Sequence, residues 1–200
     1  MITIRHIERL WNAKVYAKLS HELLDTRQEA SFAIDGVERP CFVAALAMIR
    51  MDELAQAHLP LYDTLLRVLL RAQERDGGWG DPATTALCLR ALLLGRGQGD
   101  AIEAGLAFLG VMQKDEGIWA SGPMRRMPAD PAATLFILYQ LGDNARFREA
   151  VRFSEALGWF AHGGSLLSQE LQALYQWASL RWRSATVETG VDEQTLFAAA

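Results

Sequence analysis

Apolar positions along the chain recur mostly at the three-to-four-residue spacing of a helix, and two kinds of segment alternate. Ile4, Ile7, Trp11 and Val15 form a single stripe, with Arg5, Glu8, Arg9 and Lys14 elsewhere, which predicts an amphipathic opening helix. A turn follows around "AIDGVERP". From Pro40 the run "CFVAALAMIRM" is apolar nearly all round, whereas "LYDTLLRVLLRAQ" carries one stripe through Leu61, Leu65, Leu69 and Ala72. The alternation repeats. Residues 83–94 are apolar nearly all round, and 101–112 are striped through Ile102, Leu106, Leu109 and Met112. Residues 131–142 are again apolar, and 145–159 are striped through Phe147, Val151, Ser154 and Leu157. A last helix carries Leu167, Leu171, Leu174 and Ala178. A helix apolar all round must be covered on all sides, while a striped helix keeps one face in water, so the pattern predicts two layers. The expectation is an all-α repeat domain over residues 1–182, of about eight helices, followed by a polar tail, 183–200, that docks through Phe197.

The junctions between segments also repeat. Gln73, Gly77 and Trp79 in "QERDGGW" return as Gln113, Gly117 and Trp119 in "QKDEGIW", 40 residues later. Each motif is followed by "DPA", but Asp81 and Asp130 are 49 residues apart, so the second junction carries nine extra residues within "ASGPMRRMPA". Insertions that spare the flanking helices are where repeat proteins place variation and binding. Gly77 and Gly117 are expected at the left-handed C′ position of the preceding helix. Asp81 and Asp130, each followed by proline, are expected to cap the next helix.

These two motifs resemble the QW repeats of squalene-hopene and oxidosqualene cyclases and the related repeats of protein prenyltransferase β subunits. The similarity is strongest over residues 60–142 and thinner to 40 and 180. It implies an α/α toroid in which the glutamine amides bind backbone groups at neighbouring helix ends and the tryptophans stack on them. Eight helices are too few for the closed ring of that family, so half a toroid is expected. The family's catalytic residues are missing. No two aspartates stand two apart as in the cyclase acid motif. Arg39 and Ala86 precede Cys41 and Cys88 where the prenyltransferase zinc site has Asp.

Composition narrows the remaining options. Twenty Lys and Arg against 24 Asp and Glu leave a net charge of −4, with no basic face for nucleic acid. Cys41 and Cys88 lie in apolar runs with no Cys or His at ligand spacing, so buried reduced thiols, no metal and a cytoplasmic location are expected. No segment is long enough and free enough of charge to span a membrane. Asp81 and Asp130 are candidate acids as well as caps. Arg125 and Arg126 in the insertion are candidate ligands for a diphosphate or carboxylate. His162, placed on a glycine-rich loop where a third motif would fall, is a candidate acid or base. Tyr175, Trp177 and Trp182 could line a cavity or form core. The expected function is non-catalytic recognition of a second copy, a partner protein, or an apolar or prenyl-type ligand at a groove or open edge, without a cofactor. The alternative is a small enzyme of terpenoid or prenyl metabolism with an unrecognised acid, or a subunit that completes one.

Overall fold

A computed structural model of the chain describes residues 39–95, 98–163 and 168–188. The chain divides into units 1–37 and 38–200, and all described residues fall in the second. The expected opening helix and Phe197 lie outside the described residues.

Among the described residues, eight helices follow one another: α1 Arg39–Glu53, α2 Pro60–Ala72, α3 Pro82–Leu94, α4 Gly99–Met112, α5 Pro131–Leu141, α6 Ala145–Ala150, α7 Phe153–Gly163 and α8 Gln169–Glu188. Among the described residues there is no strand, only an isolated antiparallel bridge between Ala120 and Ala129. The fold is all-α. Helix α1 packs on α3, α3 on α5, and α5 on α8, while α2 lies against α1, α4 against α3, and α6 against α4.

The inner row contains the segments that are apolar all round. Every residue from Thr85 to Leu89 is buried in α3, as is every residue from Thr134 to Leu138 in α5. The charged residue of α3, Arg90, is half-buried and pairs with Asp143 just beyond α5 at 3.2 Å, tying two inner helices together. In α4 the stripe of Ile102, Leu106, Leu109 and Met112 is buried as the spacing predicts.

Three expectations change. In α2 Leu69 of the expected stripe is buried, but Leu61 is 55% exposed and the buried position in the first turn is Tyr62 instead. Tyr62 is buried, and burial, with Asp52 nearby, raises its phenol above the ordinary value. Residues 145–159 are not one helix: Val151 is extended (φ −126°, ψ 164°) and separates α6 from α7, leaving Ser154 exposed. Helix α8 continues to Glu188, so the first six residues assigned to the tail are helical.

Helix α1 ends in a Schellman motif. The Gln56 N–H reaches Met51 O at 2.7 Å and the Ala55 N–H reaches Asp52 O at 2.9 Å, which places Ala55 at C′ with φ +55°. Glycine is the usual residue there because an L side chain crowds the left-handed backbone.

Candidate functional site

The repeated motif builds the same object twice. Helix α2 stops when Gln73 turns extended (φ −66°, ψ 129°). The next residues form a tight reversal in which the Gly77 N–H donates to Glu74 O at 3.0 Å and the Glu74 N–H to Gly78 O at 2.9 Å. This bonding, with a glycine at φ +90°, is that of a β-turn followed by a left-handed residue. The Gln73 side-chain amide donates to Gly77 O at 2.9 Å and, across the repeat boundary, to Ala101 O in the first turn of α4 at 2.8 Å. Trp79 is 1% exposed; its indole N–H donates to Leu69 O at 2.8 Å and its backbone N–H to Thr85 Oγ1 at 2.9 Å.

The second clasp repeats these bonds. Gln113 donates to Gly117 O at 2.7 Å and Arg152 O at 3.0 Å, and its Oε1 accepts the Arg152 N–H at 2.7 Å. Trp119, fully buried, donates from its indole to Leu109 O at 2.8 Å and from its backbone to Thr134 Oγ1 at 3.0 Å. The break before α7 serves this clasp. An unbroken helix would occupy the Arg152 N–H internally, whereas the break leaves it to the buried Gln113 carboxamide.

Gly77 and Gly117 are left-handed, but they are not at C′; they sit four residues beyond Gln73 and Gln113, which end the helices. Their second role is contact. A Cβ on Gly77 would lie 2.3 Å from Ala104 O, and one on Gly117 2.5 Å from the Ala156 nitrogen, so each turn rests directly on the backbone of the next helix.

Asp81 and Asp130 both cap. Asp81 accepts the Thr84 N–H at 2.9 Å and the Thr84 hydroxyl at 2.7 Å, while Asp130 accepts the Ala132 and Ala133 N–H groups at 2.8 and 3.2 Å. Thr85 and Thr134 were not among the sequence candidates, although both are fully buried and hold the tryptophan backbones. The signal was present: "DPATT" and "DPAAT" share a threonine four residues after the aspartate.

The insertion forms a flap. Its ends are joined by the Ala120–Ala129 bridge and by the Asp130 N–H to Trp119 O at 2.8 Å. Arg125 reaches back over the second clasp, donating from Nε to Gln113 O at 2.9 Å and from a terminal nitrogen to Asp115 Oδ1 at 2.6 Å. Arg152 converges from the other side, on Gln113 O at 3.1 Å, Lys114 O at 2.6 Å and the same Asp115 oxygen at 3.5 Å. Hydrogen bonding and charge from Arg125, with Arg152 adding to them, hold the Asp115 carboxyl below the usual range. Arg126 is exposed and contacts the Met124 sulfur.

The remaining candidates lie elsewhere. His162 is exposed in the last turn of α7 rather than in a loop, with Nδ1 2.7 Å from Gly158 O. Cys41 and Cys88 are buried, and burial, together with the neighbouring Cys41 thiol, pushes the Cys88 thiol far up, which suppresses the reactive thiolate. Tyr175 and Trp182 join a chain of rings: Trp119, Phe147, Phe153, Trp182, Tyr175 and Phe160, with successive centroids 5.4–6.3 Å apart. The Trp182 indole also donates to Leu138 O at 3.0 Å, above Gly142, where a Cβ would collide with it. Trp177 is half-buried. Among the described residues no three His, Cys, Asp or Glu side chains gather as metal ligands, and no helix is long and apolar enough to cross a membrane. A shallow depression of about 280 Å³ opens at Gln98–Ala101. No family model, curated protein or solved structure matches the chain.

Proposed function

We propose that the chain is a recognition protein built as an incomplete α/α toroid of cyclase-like repeats, which associates through an open edge and performs no cyclisation. The observation that carries this reading is the double clasp. Gln73 and Gln113 bridge successive repeats with the same bonds, a use of the motif that is purely architectural. Two further features support it. Asp81 and Asp130, the acids nearest the motifs, are engaged as helix caps. The α1–α2 end of the described fold carries Val43, Leu54 and Leu61 at 61%, 65% and 55% exposure, large apolar groups of the kind that recognition surfaces use. A second copy of the chain is the first expected partner, and an apolar ligand the next.

Native mass spectrometry of the untreated protein tests this, because it reports oligomeric state and retained ligand together. The expected result is an oligomer or retained ligand that is lost in Leu54→Glu with Leu61→Glu. A ligand-free monomer that turns over squalene, oxidosqualene or a prenyl diphosphate, and loses that activity with Asp81→Asn or Asp130→Asn, would overturn it.

A further inference from the structure

The two clasps supply an internal comparison. Both have the glutamine bridge, the left-handed glycine, the buried tryptophan and the threonine hydroxyl. Among the described residues, only the second has an insertion and a pair of converging guanidinium groups. Asp115 corresponds to Arg75 in the first motif, and Arg152 occupies the bridging position held there by Ala101. Since the first clasp closes without any of these, the arginines exceed what closure needs.

Their arrangement is that of a site for an anion. Arg125 and Arg152 are each fixed to main-chain carbonyls of the Gln113–Lys114 turn, so their orientation is set before a ligand arrives. Both then point at one carboxylate oxygen, Oδ1 of Asp115. That carboxylate is a weak occupant, because its side chain is 84% exposed and its exchange with solvent costs little. Guanidinium forks match phosphate oxygens as well as they match carboxylate, and a phosphate brings more charge. We infer that Arg125 and Arg152 form a binding site for a phosphate group, with the Asp115 carboxylate as the built-in occupant that the phosphate displaces.

Arg126, in the same flap but turned to Met124, lies outside this site and serves as its control. The site does not depend on the recognition edge at α1–α2.

Inorganic phosphate, and separately acetate, would be titrated into the full chain at constant ionic strength, with binding followed by calorimetry and by the arginine Nε–H resonances. Asp115→Asn should bind phosphate about fivefold more tightly, the upper range for loss of a competing surface ion pair. Arg125→Gln should weaken phosphate binding at least about tenfold, in line with loss of a charge-assisted hydrogen bond. Arg125→Lys should recover only part of it, because the ammonium lacks the fork. Arg126→Gln should leave it unchanged. Circular dichroism melts of each variant separate lost binding from lost folding, and Asp115→Asn, at an exposed position, carries the proposal if an arginine variant unfolds. Phosphate binding that is unaffected by Asp115→Asn, equally weakened by Arg126→Gln, or no stronger than acetate binding would overturn it.

Discussion

Replacing the tryptophan of a clasp tests whether the motif holds the repeats together. Trp119 is fully buried, stacks on Phe147 with centroids 6.3 Å apart, and donates from its indole to Leu109 O. Two substitutions separate these contributions. Trp119→Phe keeps an aromatic ring but removes the indole donor, while Leu109 O still accepts the Gln113 N–H at 3.0 Å. The loss is then one net hydrogen bond, about 0.5–1.5 kcal/mol, plus a small void. Trp119→Ala empties the site and should cost about 3–5 kcal/mol, a large fraction of the stability of an ordinary domain. Trp79→Phe and Trp79→Ala should follow the same order, because Trp79 is 1% exposed and bonds Leu69 O in the same way. Urea unfolding monitored at 222 nm gives the differences by linear extrapolation. A loss below about 1 kcal/mol for both alanine variants would refute the claim, since it would put these rings among substitutions that leave a core intact.

Three other outcomes follow from the same geometry. Ala55→Gly should raise stability by about 0.5–1 kcal/mol, since relief of the left-handed strain outweighs the extra freedom of glycine in the unfolded chain; an unchanged or lower melting temperature would contradict the Schellman assignment. Thr134→Val and Thr85→Val keep the side-chain shape but strip the acceptor from the buried Trp119 and Trp79 N–H groups, at a cost of about 1–3 kcal/mol each by chemical denaturation. Asp115 should titrate below the ordinary carboxylate range because Arg125 and Arg152 favour its ionised form, so its contact with the flap is complete above that range and is lost as pH falls through the lowered value. Carboxyl NMR of the protein and of Arg125→Ala, in which the midpoint should move back up, checks the sign.

Much of the fold could be read before any coordinates. The all-apolar segments at 83–94 and 131–142 are buried as their composition requires, and the capping aspartates and left-handed glycines follow from local backbone chemistry. The misread features have a common origin in tertiary contacts. Nothing local in "ARFREAVRFSEALGW" announces a break, and the Arg152 N–H at that break is bound by Gln113, 39 residues earlier in the chain. In α2, spacing alone does not distinguish Leu61 from Tyr62, of which only Tyr62 is buried. The positive φ of Gly77 and Gly117 is legible in the local sequence, but their place against the backbone of the next helix is a tertiary contact. Arg125 stands out by its place in the insertion, whereas Asp115 and Arg152 come from either side of the flap and share no pattern in the sequence.

Both clasps point forward along the chain: Gln73 closes on a carbonyl 28 residues ahead, and Gln113 on one 39 residues ahead. Synthesis from the N-terminus at about 5–20 residues per second therefore leaves each glutamine waiting roughly one to eight seconds for its acceptor to be made. During that interval the tryptophan loop has no following helix to rest on, and the nascent repeat is unsealed on its C-terminal side. Truncation has a polarity for the same reason. Stopping the chain before Arg152 would strip the second clasp of its partner while leaving the first, already closed on α4, intact.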